Sequence, residues 1–157
     1  MTENENLVPE WMKKKQQEIE AVDAKRELEA QRALTAQLLI EKNGPTFWKS
    51  LKEKLNITVN ALSTIGLSGS FTSPFESNHI HIEVMRPGNF PDLTNIDMHF
   101  DGKQIHCAGL IGAFNLRLVV KFNNEVGSQP EDRPTACLDA DQTSEFIMRR
   151  MTDRVLR

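Results

Sequence analysis

The sequence predicts an α+β domain: two N-terminal helices, a four- or five-stranded antiparallel meander sheet, and a C-terminal helix. Two observations carry this. Between residues 78 and 122 apolar and polar side chains alternate, the period of antiparallel strands with one buried face. On both sides of that stretch apolar residues recur at three- and four-residue steps, the spacing of amphipathic helices that cover such a face.

Residues 9 to 42 read as one long helix, rich in Glu, Lys, Gln, Ala and Leu, with Pro9 suited to the first turn and neither Gly nor Pro before Gly44. Met12, Ile19, Ala33 and Ile40 keep a seven-residue spacing, and Val22 and Ala36 follow two of them by three, as in a coiled-coil seam. Lys15, Arg26 and Glu29 occupy seam positions in the same register and interrupt it. Two readings follow: a solvated helix whose end, Leu34 to Ile40, docks on the domain, or a helix that pairs with a partner. Asn43-Gly44-Pro45 marks a helix stop followed by a helix start. The chain therefore divides into a charged arm or dimerisation element, 1–42, and one α+β domain, 43–157.

The second helix spans 45 to 62, with Phe47, Trp48, Leu51, Leu55, Val59 and Leu62 on its apolar face. Residues 63–77 form a small-residue loop with a short edge strand near Gly69 to Thr72. In the first of the four main strands Ile80, Ile82 and Val84 point inward, and His79, His81 and Glu83 outward. The second alternates Ile96, Met98 and Phe100 with Asn95, Asp97 and His99. The third sets Ile105 and Cys107 against Gln104 and His106. The fourth sets Phe114, Leu116, Leu118, Val120 and Phe122 against Asn115, Arg117, Val119 and Lys121. Asp101-Gly102 signals a two-residue hairpin turn, which places Met98 opposite Ile105 and Asp97 opposite His106. Arg86 to Pro91 connects the first two of these strands. Residues 123–134 read as a polar loop and Thr135–Leu138 as a short fifth strand. The last helix runs from Asp141 to about Val155, opened by a capping box of Asp139 and Gln142 and closed by Arg149, Arg150 and Arg154.

At 157 residues the chain holds one ordinary domain with a core of its own. A net charge of -3 gives no basis for nucleic-acid binding, and no apolar run approaches a membrane span. The N-terminus lacks the apolar stretch of a signal peptide, and two cysteines without an export signal read as free thiols. A cytoplasmic protein is the expectation.

All four histidines fall on the outward sheet face. Alternate strand residues stand about 7 Å apart. If His81 pairs with Asp97, then His79 pairs with His99, and Asp97 lies between His81 and His106 across three strands. A set of His79, His81, Asp97, His99 and His106 carries the ligand types of a zinc or other divalent site, and an Asp beside a His can orient a general base. The competing reading is a solvated polar face. No G-x-S-x-G, P-loop, dinucleotide fingerprint or C-x-x-C is present, and Gly66 to Ser70 lacks the lysine and following helix of a phosphate loop. The favoured function is a small non-enzymatic protein acting through protein contacts of its N-terminal helix, as a homodimer or with another protein, without a cofactor. The alternative is a small-molecule or metal-binding domain, conceivably a hydrolase, using the histidine face or a cavity between sheet and helices.

Overall fold

The computed structural model describes residues 7–74, 77–88 and 92–156. The first six residues, 75–76 of the expected loop and 89–91 of the expected strand connection lie outside them. The element order is α1 (Glu10–Asn60), a 3-10 turn (Leu62–Ile65), β1 (Ser68–Thr72), β2 (His79–Arg86), β3 (Asp92–Phe100), β4 (Gln104–Gly109), β5 (Gly112–Val120), β6 (Val126–Pro130) and α2 (Ala140–Leu156). The α+β class holds, with one long N-terminal helix in place of two and six strands in place of four or five. Each strand pairs antiparallel with the next, in the order β1-β2-β3-β4-β5-β6. By internal contacts the chain groups into two units, Met1–Gln37 and Leu38–Arg157.

Asn43-Gly44-Pro45 does not break the helix. A Cβ on Gly44 would stand 3.3 Å from both Leu118 and Phe100, so this glycine serves a close approach of helix to sheet. Pro45 brings no N–H to the helix, which ordinarily costs about 3 kcal/mol. Burial of Phe47, Trp48, Leu51, Leu55 and Val59 just beyond it offsets that cost. In the second unit these side chains meet Ile80, Ile82, Val84, Ile96, Met98, Ile105, Leu116 and Leu118 from the sheet. Trp48 stacks on Phe100 with ring centroids 5.4 Å apart. The same core takes Ile147, Met151 and Val155 of α2. The expected capping box opens that helix: Gln142 N donates to Asp139 Oδ1 at 2.8 Å, and Asp139 N donates to Gln142 Oε1 at 3.0 Å.

Strand pairing corrects the hairpin. Phe100 faces Ile105, His99 faces His106, Met98 faces Cys107 and Asp97 faces Ala108. The register is therefore two residues from the one that pairs Asp97 with His106. The cause is local. Asp101 Oδ1 accepts hydrogen bonds from the backbone N–H of Lys103 (2.8 Å) and Gln104 (2.9 Å), which closes a four-residue turn. Gly102 still supplies the positive φ, +99°, that the Asp-Gly pair announces. A shift of two leaves each side chain on the same face, so the hydrophobic pattern is indifferent to it.

Val126–Pro130, read from sequence as loop, is the sixth strand, while Leu138 reaches the sheet only through an isolated bridge to Ser128. Ser128 tolerates burial because its hydroxyl lies 2.7 Å from the Thr143 hydroxyl. Phe122 is not inward. The fifth strand ends at Val120, and a tight turn through Asn124 (φ 66°) leaves Phe122 fully exposed.

One core position is polar without cause. Thr94 is fully buried, and its hydroxyl has no hydrogen-bond partner. Thr94→Val keeps the shape and removes an unmet donor, so it should stabilise the domain by about 1 kcal/mol. Urea unfolding checks this; a lower midpoint in the variant contradicts it.

Candidate functional site

The outward sheet face brings some of the sequence-predicted residues together and leaves others apart. His81 pairs with Asp97 and His79 with His99, the register on which the proposed histidine set depends. His81 Nδ1 lies 2.8 Å from Asp97 Oδ1, and His81 Nε2 lies 3.2 Å from Glu83 Oε1. His79 Nε2 approaches the same Asp97 oxygen at 3.3 Å. Asp97 thus sits between two histidines of one neighbouring strand. His106 belongs to a separate group: its Nε2 is 2.8 Å from Asp101 Oδ2 and its Nδ1 is 2.9 Å from Asn115 Oδ1. His99 lies opposite both His79 and His106 in the sheet, yet its side chain bonds neither. Among the described residues no three His, Cys, Asp or Glu side chains are arranged to hold a metal ion. Both ring nitrogens of His81 and of His106 are already spent on protein acceptors.

Two acceptors around one imidazole have an electrostatic consequence. A neutral ring has one N–H and serves one acceptor, whereas the imidazolium serves both. The hydrogen bond to Asp97, then that to Glu83, raises the His81 pKa above its ordinary 6.5. Asp101, then Asn115, raises that of His106. Burial would push the Asp101 carboxyl up, but hydrogen bonds from the Lys103 backbone, His106 and the Gln104 backbone bring it down to about 2. The histidines therefore contribute stability that is complete below the unfolded value and is lost as pH rises through the raised folded values. Asp101 contributes above its unfolded value and loses that contribution as pH falls toward 2. The urea midpoint should fall between pH 6 and pH 8, modestly because these side chains are part-exposed. The double variant His81→Gln with His106→Gln should flatten that slope. An unchanged slope places its origin elsewhere.

The cysteines offer no reactive thiol. Burial pushes Cys107 up to about 12, against the weaker opposing influence of Arg150, and burial also raises Cys137. Gly66 is the left-handed cap of the 3-10 turn, and Ser68 and Ser70 belong to β1, so no phosphate loop forms there.

The N-terminal unit presents a different kind of surface. Residues 7–35 are exposed without exception, large apolar side chains included: Trp11 is 64% and Ile19 60% exposed, and Met12, Val22 and Leu34 are similarly open. Successive helical residues turn by about 100°. Trp11, Met12, Ile19, Val22, Ala30 and Ala33 therefore share one sector of the helix, interrupted by Lys15, Arg26 and Glu29; the aliphatic stems of Lys15 and Arg26 extend the apolar strip. A seven-residue reading breaks this strip. An eleven-residue reading unites it, as Trp11-Val22-Ala33 and Ile19-Ala30. That period is the sequence signal able to find it. No helix among the described residues is long and apolar enough to cross a membrane.

Comparison of the chain with protein-family models, with curated proteins and with solved structures gave no match in any of the three.

Proposed function

We propose that this chain is a non-enzymatic protein that acts through protein contacts, and that its N-terminal helix pairs antiparallel with a second copy of itself. The observation that supports the reading is the apolar strip of Trp11, Met12, Ile19 and Val22 on a helical stretch that is exposed among the described residues. An isolated helix of this kind is marginal in water, and most helical stability in proteins comes from packing of one face.

Charge order selects the partner and its direction. Lys13, Lys14 and Lys15 form a positive block, followed by the acidic Glu18, Glu20 and Asp23. A parallel copy sets lysines beside lysines. An antiparallel copy sets the lysine block of one helix beside the acidic block of the other, and the same overlap brings Trp11 and Met12 against the second copy's Val22. Sedimentation equilibrium of the full chain should show a dimer at tens of micromolar. The double variant Ile19→Asp with Val22→Asp should be monomeric and retain the domain's melting transition. A monomeric parent at 100 µM, or a dimeric variant, defeats the reading.

A further inference from the structure

Beside the helical end of the second unit lies a cleft of about 1050 Å³, between residues 45–56 of α1 and the end of the sheet formed by β1, β3 and the turn after Phe100. Its floor is aromatic: Trp48 and Phe100, stacked and largely buried, with half-buried Phe71 from the edge strand. Three basic side chains, Lys49, Lys52 and His99, line the same space. Lys52 Nζ donates to the backbone carbonyl of Ser77 at 3.1 Å, and Trp48 Nε1 donates to that oxygen at 3.3 Å. A carbonyl is neutral, so the lysine charge is left uncompensated. Lys49 and His99 have no hydrogen bond or ion pair among the described residues.

Two acids also line the cleft, Glu53 and Asp101. Asp101 is committed to the His106 ring and to the backbone N–H groups of Lys103 and Gln104. Among the described residues that leaves Glu53 as the single uncommitted acid against two lysines and an imidazole. Ligand sites are clefts of this size, with apolar and aromatic walls and few polar groups that fix orientation. The walls suit a flat ring, and the surplus of cationic donors suits an anion attached to it. We infer that this cleft binds a small aromatic carboxylate, its ring against Phe71 and the Trp48–Phe100 stack and its carboxylate among Lys49, Lys52 and His99. This site uses residues 45–56 of α1 rather than the exposed stretch proposed to pair, and it stands or falls independently of the pairing.

The chain has two tryptophans, so Trp11→Phe leaves the Trp48 indole N–H as a single reporter resonance. Titration of that full-length protein with 2-naphthoate, followed by proton–nitrogen correlation spectra, should shift this resonance saturably. For a probe this small the expected dissociation constant is on the order of 100 µM to 1 mM. The double variant Lys49→Glu with His99→Ala should bind at least tenfold more weakly, its unliganded spectrum showing a folded domain. Lys121→Glu, outside the cleft, should bind as the parent does. The uncharged 2-naphthalenemethanol should bind at least tenfold more weakly than the carboxylate. No saturable shift up to 5 mM, equal binding by the double variant, or equal binding of the alcohol each overturns the inference.

Discussion

Leu51→Ala is expected to lower the unfolding free energy by about 2–5 kcal/mol, the range for a large buried aliphatic cut to a methyl. Leu51 is fully buried on the face of α1 that meets the sheet, between Trp48 and Leu55 on the same side. Its removal opens a cavity in close-packed surroundings that relax only partly. A loss of that size approaches half the stability of an ordinary domain. Urea unfolding followed by far-ultraviolet circular dichroism measures it. A midpoint within error of the parent means this part of the helix is not core, and the packing of α1 on the sheet is wrong.

The second large effect concerns Gly109, at the end of β4. A Cβ there would collide with the backbone carbonyl oxygen of Asn95, and it would lie 2.9 Å from both the carbonyl carbon and the side-chain oxygen of that residue. The side-chain oxygen itself accepts the Leu110 N–H at 3.1 Å, which ties the hairpin tip to β3. A clash with backbone has no rotamer to relieve it, so β3 and β4 must separate. Gly109→Ala should cost about 2–3 kcal/mol, the upper part of the overpacking range, and Gly109→Val more. Thermal unfolding of the alanine variant checks this. An unchanged melting temperature contradicts the β3–β4 spacing.

The sequence and the structure agree where burial enforces the pattern. Ile80, Ile82, Val84, Ile96, Met98, Ile105 and Leu116 alternate in the chain and are all buried, because one wet face and one dry face leave no other arrangement. The apolar face of residues 47–59 and the capped last helix are legible for the same reason. The misses have different origins. Gly44-Pro45 resembles a helix boundary, whereas the glycine answers a three-dimensional contact with Leu118 and Phe100 that no local signal announces. The strand Val126–Pro130 has little apolar alternation, and its burial rests on the bond between the Ser128 and Thr143 hydroxyls, 15 residues apart in the chain. The hairpin register turned on the Asp101 side chain. On the candidate face the pairing of His81 with Asp97 is a condition that the alternation alone does not impose, since a shift of two residues keeps every side chain on its face. Asp101 and Asn115 as the partners of His106 follow only from the four-residue turn and the pairing of β4 with β5. The exposed helical strip was half visible, since its eleven-residue period shows as a broken seven.

Amide hydrogen exchange measured across a range of protein concentrations tests the central claim most directly. A helix of exposed residues 10–35 is short-lived alone and lasting when a second copy covers Trp11, Met12, Ile19 and Val22. Self-pairing predicts that protection of residues 10–35 rises steeply from one micromolar to several hundred, while protection of residues 47–59, secured by the domain's own core, stays constant. Protection of residues 10–35 that is the same at every concentration would contradict it.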